Sequence, residues 1–167
     1  TAGQFWEYVN KIAQGLIGMG LAFGDPVAIM SRTRYEWMVL DFAAWAAGLV
    51  PIPIYETSSK AQIEYILDDA KVKFVVTESV VMANLVAAAA EDINAEVTIL
   101  SLDQGAMGEL EAAGVSVAAT EVTARTNQLT LDSTATIVYT SGTTGTPKGA
   151  VISHGNFTDL NKNSHLW

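Results

Sequence analysis

Ala135-Thr136-Ile137-Val138-Tyr139-Thr140-Ser141-Gly142-Thr143-Thr144-Gly145-Thr146-Pro147-Lys148-Gly149-Ala150-Val151-Ile152-Ser153 is the stretch on which the reading of this chain turns. Its two ends, 135–140 and 149–153, are short β-branched runs and read as strands. The ten residues 140–149 hold three glycines, five hydroxyls, one proline and one lysine. A loop of that composition suits a polyphosphate. Glycines let backbone N–H groups converge without a Cβ in the way. Ser and Thr hydroxyls donate to phosphate oxygens, and the lysine ammonium adds a point charge. The common P-loop, Gly-x-x-x-x-Gly-Lys-Ser/Thr opening a helix, is not present, because Lys148 is followed by Gly149 and a second strand. No Gly-x-Gly-x-x-Gly dinucleotide fingerprint occurs here either. With its glycines and few apolar anchors, the loop over 141–147 is expected to be mobile without nucleotide.

Working outward, helical and extended patterns alternate. Thr1 and Gln4 fit a capping box, and Phe5, Val9, Ile12, Leu16 and Met19 carry a helix to about Gly20. Val27–Met30 reads as a buried strand after a Gly24-Asp25-Pro26 turn. Thr33 to Glu36 is a second candidate capping box, opening a helix from Tyr35 to Ala47 that Gly48 ends. Val50–Tyr55 is extended, and its two prolines point to an edge or a bulge. Ser59 and Gln62 form a third capping box for a helix over 60–70. Strands at 73–77 and 96–100 flank an alanine-rich helix from Ser79 to Ala90, and a short helix is expected within 103–113. Residues 114–132 show no clear period and read as surface chain. Asn156 is expected to cap a last helix carrying Phe157, Leu160 and Leu166. This alternation predicts an α/β fold: a largely parallel sheet with helices on both faces, and ligands outside the carboxyl ends of its strands.

Bulk composition narrows the function classes. The chain has 167 residues, about the length of one domain, and half of them are hydrophobic. Mean hydropathy is +0.26. Nine basic against eighteen acidic residues leave a net charge of −9, which argues against a general nucleic-acid binder. Without cysteine there is no disulfide framework, thiol nucleophile or thiolate metal site, a pattern that fits a cytoplasmic setting. The longest apolar stretch, Phe42 to Ile54, is 13 residues against the roughly 20 that a membrane helix needs. The chain starts at a helix cap and stops within a helical pattern, so it reads as a piece of a longer protein.

Few other residues invite chemistry. His154 lies just past the second strand, and a helix N-terminal role bonded to backbone is favoured over a place beside a nucleotide. His165 reads as a solvated helix residue. Asp68-Asp69 are neighbours on a helix, about 100° apart, and so rarely share one ion. Arg32 and Arg34 do not make a patch. Trp6, Trp37 and Trp45 fall in amphipathic helices and read as core or interface.

The order strand, Thr-Ser-Gly-Thr-Thr-Gly-Thr-Pro-Lys-Gly, strand closely resembles the phosphate-loop motif of the adenylate-forming (acyl-activating, AMP-binding) superfamily, which includes acyl-CoA ligases, peptide-synthetase adenylation domains and luciferases. Gly24–Ser31 and Arg34–Trp37 look like the N-terminal part of acyl-CoA synthetases. Ala46–Ser59, with its Pro-Ile-Tyr-Glu-Thr-Ser-Ser end, is similar to the long-chain fatty-acid–CoA ligase branch, bacterial members especially. Residues 101–130 carry little of the likeness. The resemblance implies a truncated N-terminal AMP-binding domain over 1–167, from an enzyme using ATP with Mg²⁺, a long-chain fatty acid and coenzyme A. It implies catalytic roles for Lys148 and Thr143, and nucleotide contacts from Thr140, Ser141, Gly142, Thr143, Thr144, Gly145 and Lys148. The metal ligands, the ribose-binding residue and the acyl tunnel would lie beyond Trp167, so the fragment is expected to be inactive alone. Peripheral membrane association and a homodimer are both compatible with this reading. Two alternatives stay open: an adenylating enzyme with another acyl acceptor, of the peptide-synthetase or fatty-acyl-AMP ligase type, and a non-catalytic nucleotide-binding module.

Overall fold

The computed structural model describes residues 1–141 and 147–163, excepting the side chains of 141, 147 and 160–163. Four strands, β1 (Pro26–Met30), β2 (Val50–Ile54), β3 (Phe74–Thr77) and β4 (Thr98–Ser101), form a parallel sheet in the order β2-β1-β3-β4. Side chains alternate across it. Val27, Ile29, Phe74 and Val76 face α1 (Ala2–Gly18), α2 (Tyr35–Ala46), α5 (Ala106–Gly114) and α6 (Ala119–Thr126). Ala28, Met30 and Val75 face α3 (Lys60–Asp69) and α4 (Val80–Asp92). The expected two-faced α/β layering is therefore what folds, because every strand but the edges must bury both its sides.

Local chemistry sets most boundaries. The capping boxes at Thr1/Gln4 and Ser59/Gln62 both form. Gly48, at φ +70°, stops α2. The box expected at Thr33/Glu36 does not form. Arg34 stands at the cap without a side-chain bond, and Glu36 instead accepts from Arg34 Nε at 2.7 Å and Nη2 at 3.0 Å. A charged pair two residues apart outcompetes the neutral cap. Asn156 does not cap the last helix, α7 (His154–Asn163). Ser153 N donates to Asn156 Oδ1 at 2.9 Å and Asn156 N donates to Ser153 Oγ at 3.2 Å, so the serine is the cap and the asparagine closes the box. Residues 114–132 hold a helix, α6, that has no readable period because Val122 is its one buried residue. Polar bonds fix it instead: Arg125 Nη1 to Leu21 O and Ala47 O, and Thr126 Oγ1 to Ala46 O.

The prolines of β2 end the parallel sheet on that side. Residues 50, 52 and 54 are the ones free to donate toward β1, so Pro51 and Pro53 strip N–H groups from the outer edge. Among the described residues no fifth strand joins the ladder there. Strands β5 (Thr134–Ser141) and β6 (Pro147–Ser153) form their own antiparallel two-stranded sheet. It leans on β2 through a side chain, Thr136 Oγ1 donating to Pro51 O at 2.8 Å.

Asp41, on α2, has no hydrogen bond or ion pair among the described residues, and burial pushes its carboxyl up to about 6 from 3.8. The unfolded chain releases this proton near pH 4 and the folded chain near pH 6. Between those values the folded state holds more protons, so stability falls as pH rises through the window. Asp41→Asn should therefore raise the unfolding temperature at about pH 8 and leave it unchanged below about pH 4. A variant no more stable than wild type at the higher pH would show that water solvates the carboxylate.

Candidate functional site

The hairpin places two of the candidate phosphate residues, Thr140 and Lys148, opposite each other. In the β5–β6 ladder Thr140 pairs with Lys148, and the backbone of Ser141 pairs with Pro147. Thr140 and Lys148 are exposed, and Lys148 makes no ion pair among the described residues. Gly142, Thr143, Thr144 and Gly145, and the mobility expected of the loop, lie outside the described residues, as does His165. Beside Thr140 is a cavity of about 320 Å³ lined by Pro53, Tyr55, Ser58, Gln62, Ile66 and Tyr139. It opens at the carboxyl end of β2, where an α/β sheet is expected to take its ligand. The first turn of α3 borders it, and the helix dipole there favours negative charge. Thr140 thus stands at the sheet's ligand-binding end although its own strand belongs to a separate sheet.

Three side-chain bonds seat the hairpin. Besides Thr136, Trp45 Nε1 donates to Ala135 O at 2.6 Å, and Tyr139 OH donates to Asp69 Oδ2 at 2.6 Å. Tyr139 is buried and meets Tyr65 edge-on at 6.2 Å. Its phenol is held above its ordinary range by burial and by the Asp69 carboxylate. Sequence reasoning missed Asp69, because its partner is 70 residues away. It also passed over Tyr55 and Ser58, and read Gln62 as a cap alone.

The remaining candidates find local partners. The backbone N of His154 donates to Ser133 O at 3.0 Å. Its ring lies 5.5 Å from Trp45, Nε2 is buried without a partner among the described residues, and burial lowers its pKa. Burial thus favours the neutral imidazole, which packs edge-on against Trp45. At the carboxyl ends of β1 and β3, Glu78 accepts from Arg32 N at 2.9 Å, Arg32 Nε at 3.0 Å and Ser31 Oγ at 3.3 Å, and it also pairs with Arg32 Nη2. The guanidinium holds its carboxyl down to about 2. Asp68 pairs with Lys71. Among the described residues, no group of three or more His, Cys, Asp or Glu side chains could hold a metal ion. The residues described do not form a magnesium site. No described helix is long and apolar enough to cross a membrane.

Residues 1–166 match the family of AMP-binding enzymes. The chain is 40% identical over 159 residues to a long-chain-fatty-acid–CoA ligase, FadD15, of Mycobacterium bovis, covering 93% of this chain and 26% of that protein. It is 30% identical over 166 residues to the peroxisomal long chain acyl-CoA synthetase 6 of Arabidopsis thaliana, covering 93% of this chain and 24% of the relative. Among solved structures it is similar to ATP-bound MatB from Rhodopseudomonas palustris, with TM-score 0.78, 30% identity, and coverage of 96% of this chain and 31% of that one. An inhibitor-bound N-terminal domain of FACL13 from Mycobacterium tuberculosis gives TM-score 0.72 at 28% identity, covering 92% and 37%. The chain spans about a quarter of the length of the curated relatives it matches.

Proposed function

Since the chain belongs to the family of AMP-binding enzymes, we propose that it is the phosphate-loop part of an acid–thiol ligase that activates a long-chain fatty acid with ATP and passes the acyl group to coenzyme A. In the first step a carboxylate oxygen attacks the α-phosphorus of ATP, which enters as its magnesium complex. The bond to the bridging oxygen breaks, and pyrophosphate leaves with its electron pair. In the second step the sulfur of coenzyme A attacks the acyl carbonyl, the thiol proton is lost, and AMP departs.

The observation that carries the proposal is the hairpin: Thr140 and Lys148 stand opposite each other on the two strands that flank the Gly/Thr-rich stretch, and Thr140 lines the cavity beside the end of β2. Charge builds on the leaving pyrophosphate, and donors already in place stabilise it more than the bound ATP. Lys148 and Thr143 are assigned to that charge. Ser141 and Thr144 supply further hydroxyls, and Gly142 and Gly145 supply backbone N–H groups. The fatty-acid substrate and the thiol acceptor rest on the likeness to long-chain ligases. At about a quarter of those relatives' length, the 167 residues supply the phosphate loop and carry no ligase activity by themselves.

The test is ATP–pyrophosphate exchange by the full-length protein with carboxylic acids of graded chain length, followed by acceptor trials with coenzyme A and with a carrier protein. Exchange that rises with chain length, and acyl-CoA as product, is the expected result. Exchange without transfer to coenzyme A would move the assignment to the other acceptor class. No exchange with any acid would end the ligase reading.

A further inference from the structure

Tyr139 sits one residue before Thr140 in β5, and its hydroxyl reaches the last residue of α3, Asp69. Among the described residues, the other side-chain bonds from β5 to the parallel-sheet layer involve Ala135 and Thr136, at the far end of the strand. Only the Tyr139 bond lies next to the loop. A second observation concerns Gly149, which pairs with Tyr139 across the ladder. A Cβ at Gly149 would stand 3.0 Å from Tyr139 Cζ and 3.0 Å from Ile137 Cγ2. A bare glycine in β6 therefore lets the strand close over the tyrosine ring. The ring is thus clamped by β6 above and edge-on by Tyr65, with its hydroxyl fixed by Asp69. Thr140 and Lys148 are the next pair along the ladder, so their height over the cavity follows the height of Tyr139.

We propose that Tyr139 and Asp69 form a positioning pair that sets where Thr140 and Lys148 meet the nucleotide, acting on the ATP step and not on the carboxylic acid. The inference rests on the ligase reading of the site. Small displacements at a reacting centre are costly, since about 1 Å can reduce a rate on the order of a hundredfold. Tyr139→Phe keeps the ring and its packing and removes only the hydroxyl. In the full-length protein it should lower kcat/KM for ATP in pyrophosphate exchange about tenfold, with KM for the fatty acid unchanged. Asp69→Ala should match it, and the double variant should be no worse than either single one. Asp69→Asn keeps an acceptor oxygen and should recover most of the loss. Thr136→Val removes a comparable bond at the far end of the hairpin and serves as the structural control.

The inference is overturned if Tyr139→Phe leaves kcat/KM for ATP within about twofold of wild type. It is also overturned if Thr136→Val costs the same in ATP kinetics at an equal loss of thermal stability. A wild-type protein that neither exchanges pyrophosphate nor binds ATP in calorimetry would sink the ligase reading, and this inference with it. Normal ATP binding with unaffected variants would sink the positioning pair alone.

Discussion

Lys148→Ala in the full-length protein is expected to slow ATP–pyrophosphate exchange about 100-fold while leaving KM for the carboxylic acid unchanged. The ammonium stands on an exposed strand residue opposite Thr140, with no carboxylate paired to it among the described residues. It is therefore available to a ligand from outside the fold. The seven other lysine and arginine residues that make ion pairs, Lys11, Arg32, Arg34, Lys60, Lys71, Lys73 and Arg125, are engaged with carboxylates. On a chain of net charge −9, a phosphate meets few other free cations. Pyrophosphate gains charge as it leaves, so the loss falls on the transition state more than on ATP binding. Lys148→Arg should recover only part of the rate, because a planar fork replaces a compact charge. Exchange within about twofold of wild type would remove Lys148 from the mechanism.

Gly15→Ala is expected to destabilise the domain by about 2 kcal/mol, the balance of two opposed effects. Alanine favours a helix interior over glycine by about 1 kcal/mol. Here that gain is outweighed, because α1 and α5 touch backbone to backbone. A Cβ at Gly15 would stand 2.3 Å from Leu110 O, one at Gly18 2.1 Å from Ala113 O, and one at Gly114 2.7 Å from Gly15 N. Overpacking of that kind costs about 3 kcal/mol, since neither helix backbone can swing aside as a side chain would. Lys11 with Glu111 ties the same pair of helices, and Gln14 donates to Val117 O in the turn after α5. Gly3→Ala, on the same helix with nothing within 4 Å, is the control and should be neutral or slightly stabilising. Urea unfolding of the two variants, followed by tryptophan fluorescence, separates the effects. Equal midpoints would mean that α5 is not held against α1.

Much of the architecture was legible in the residues because it is local. Short apolar runs place β1 to β4, helical spacings and composition place α1 to α4, and two capping boxes fix the starts of α1 and α3 to the residue. Two prolines two residues apart pointed to an edge or a bulge in β2, and the edge is what forms, since each removes a donor from the same side. The Gly/Thr-rich loop and the likeness of Ala46–Ser59 pointed to the AMP-binding family that the chain belongs to, because such motifs are local residues in a fixed order. The local patterns did not show that β5 and β6 stand apart as an antiparallel pair, that α6 is a helix held by Arg125 and Thr126, or that Tyr139 is bonded to Asp69. Those outcomes depend on which carbonyl or carboxylate the folded chain brings within 3 Å of a donor 70 to 104 residues away in sequence. Hydrophobic periodicity determines which face of an element is buried. Only the packed tertiary structure decides which distant polar groups then meet, and at this site those meetings seat the strand β5 against the parallel-sheet layer.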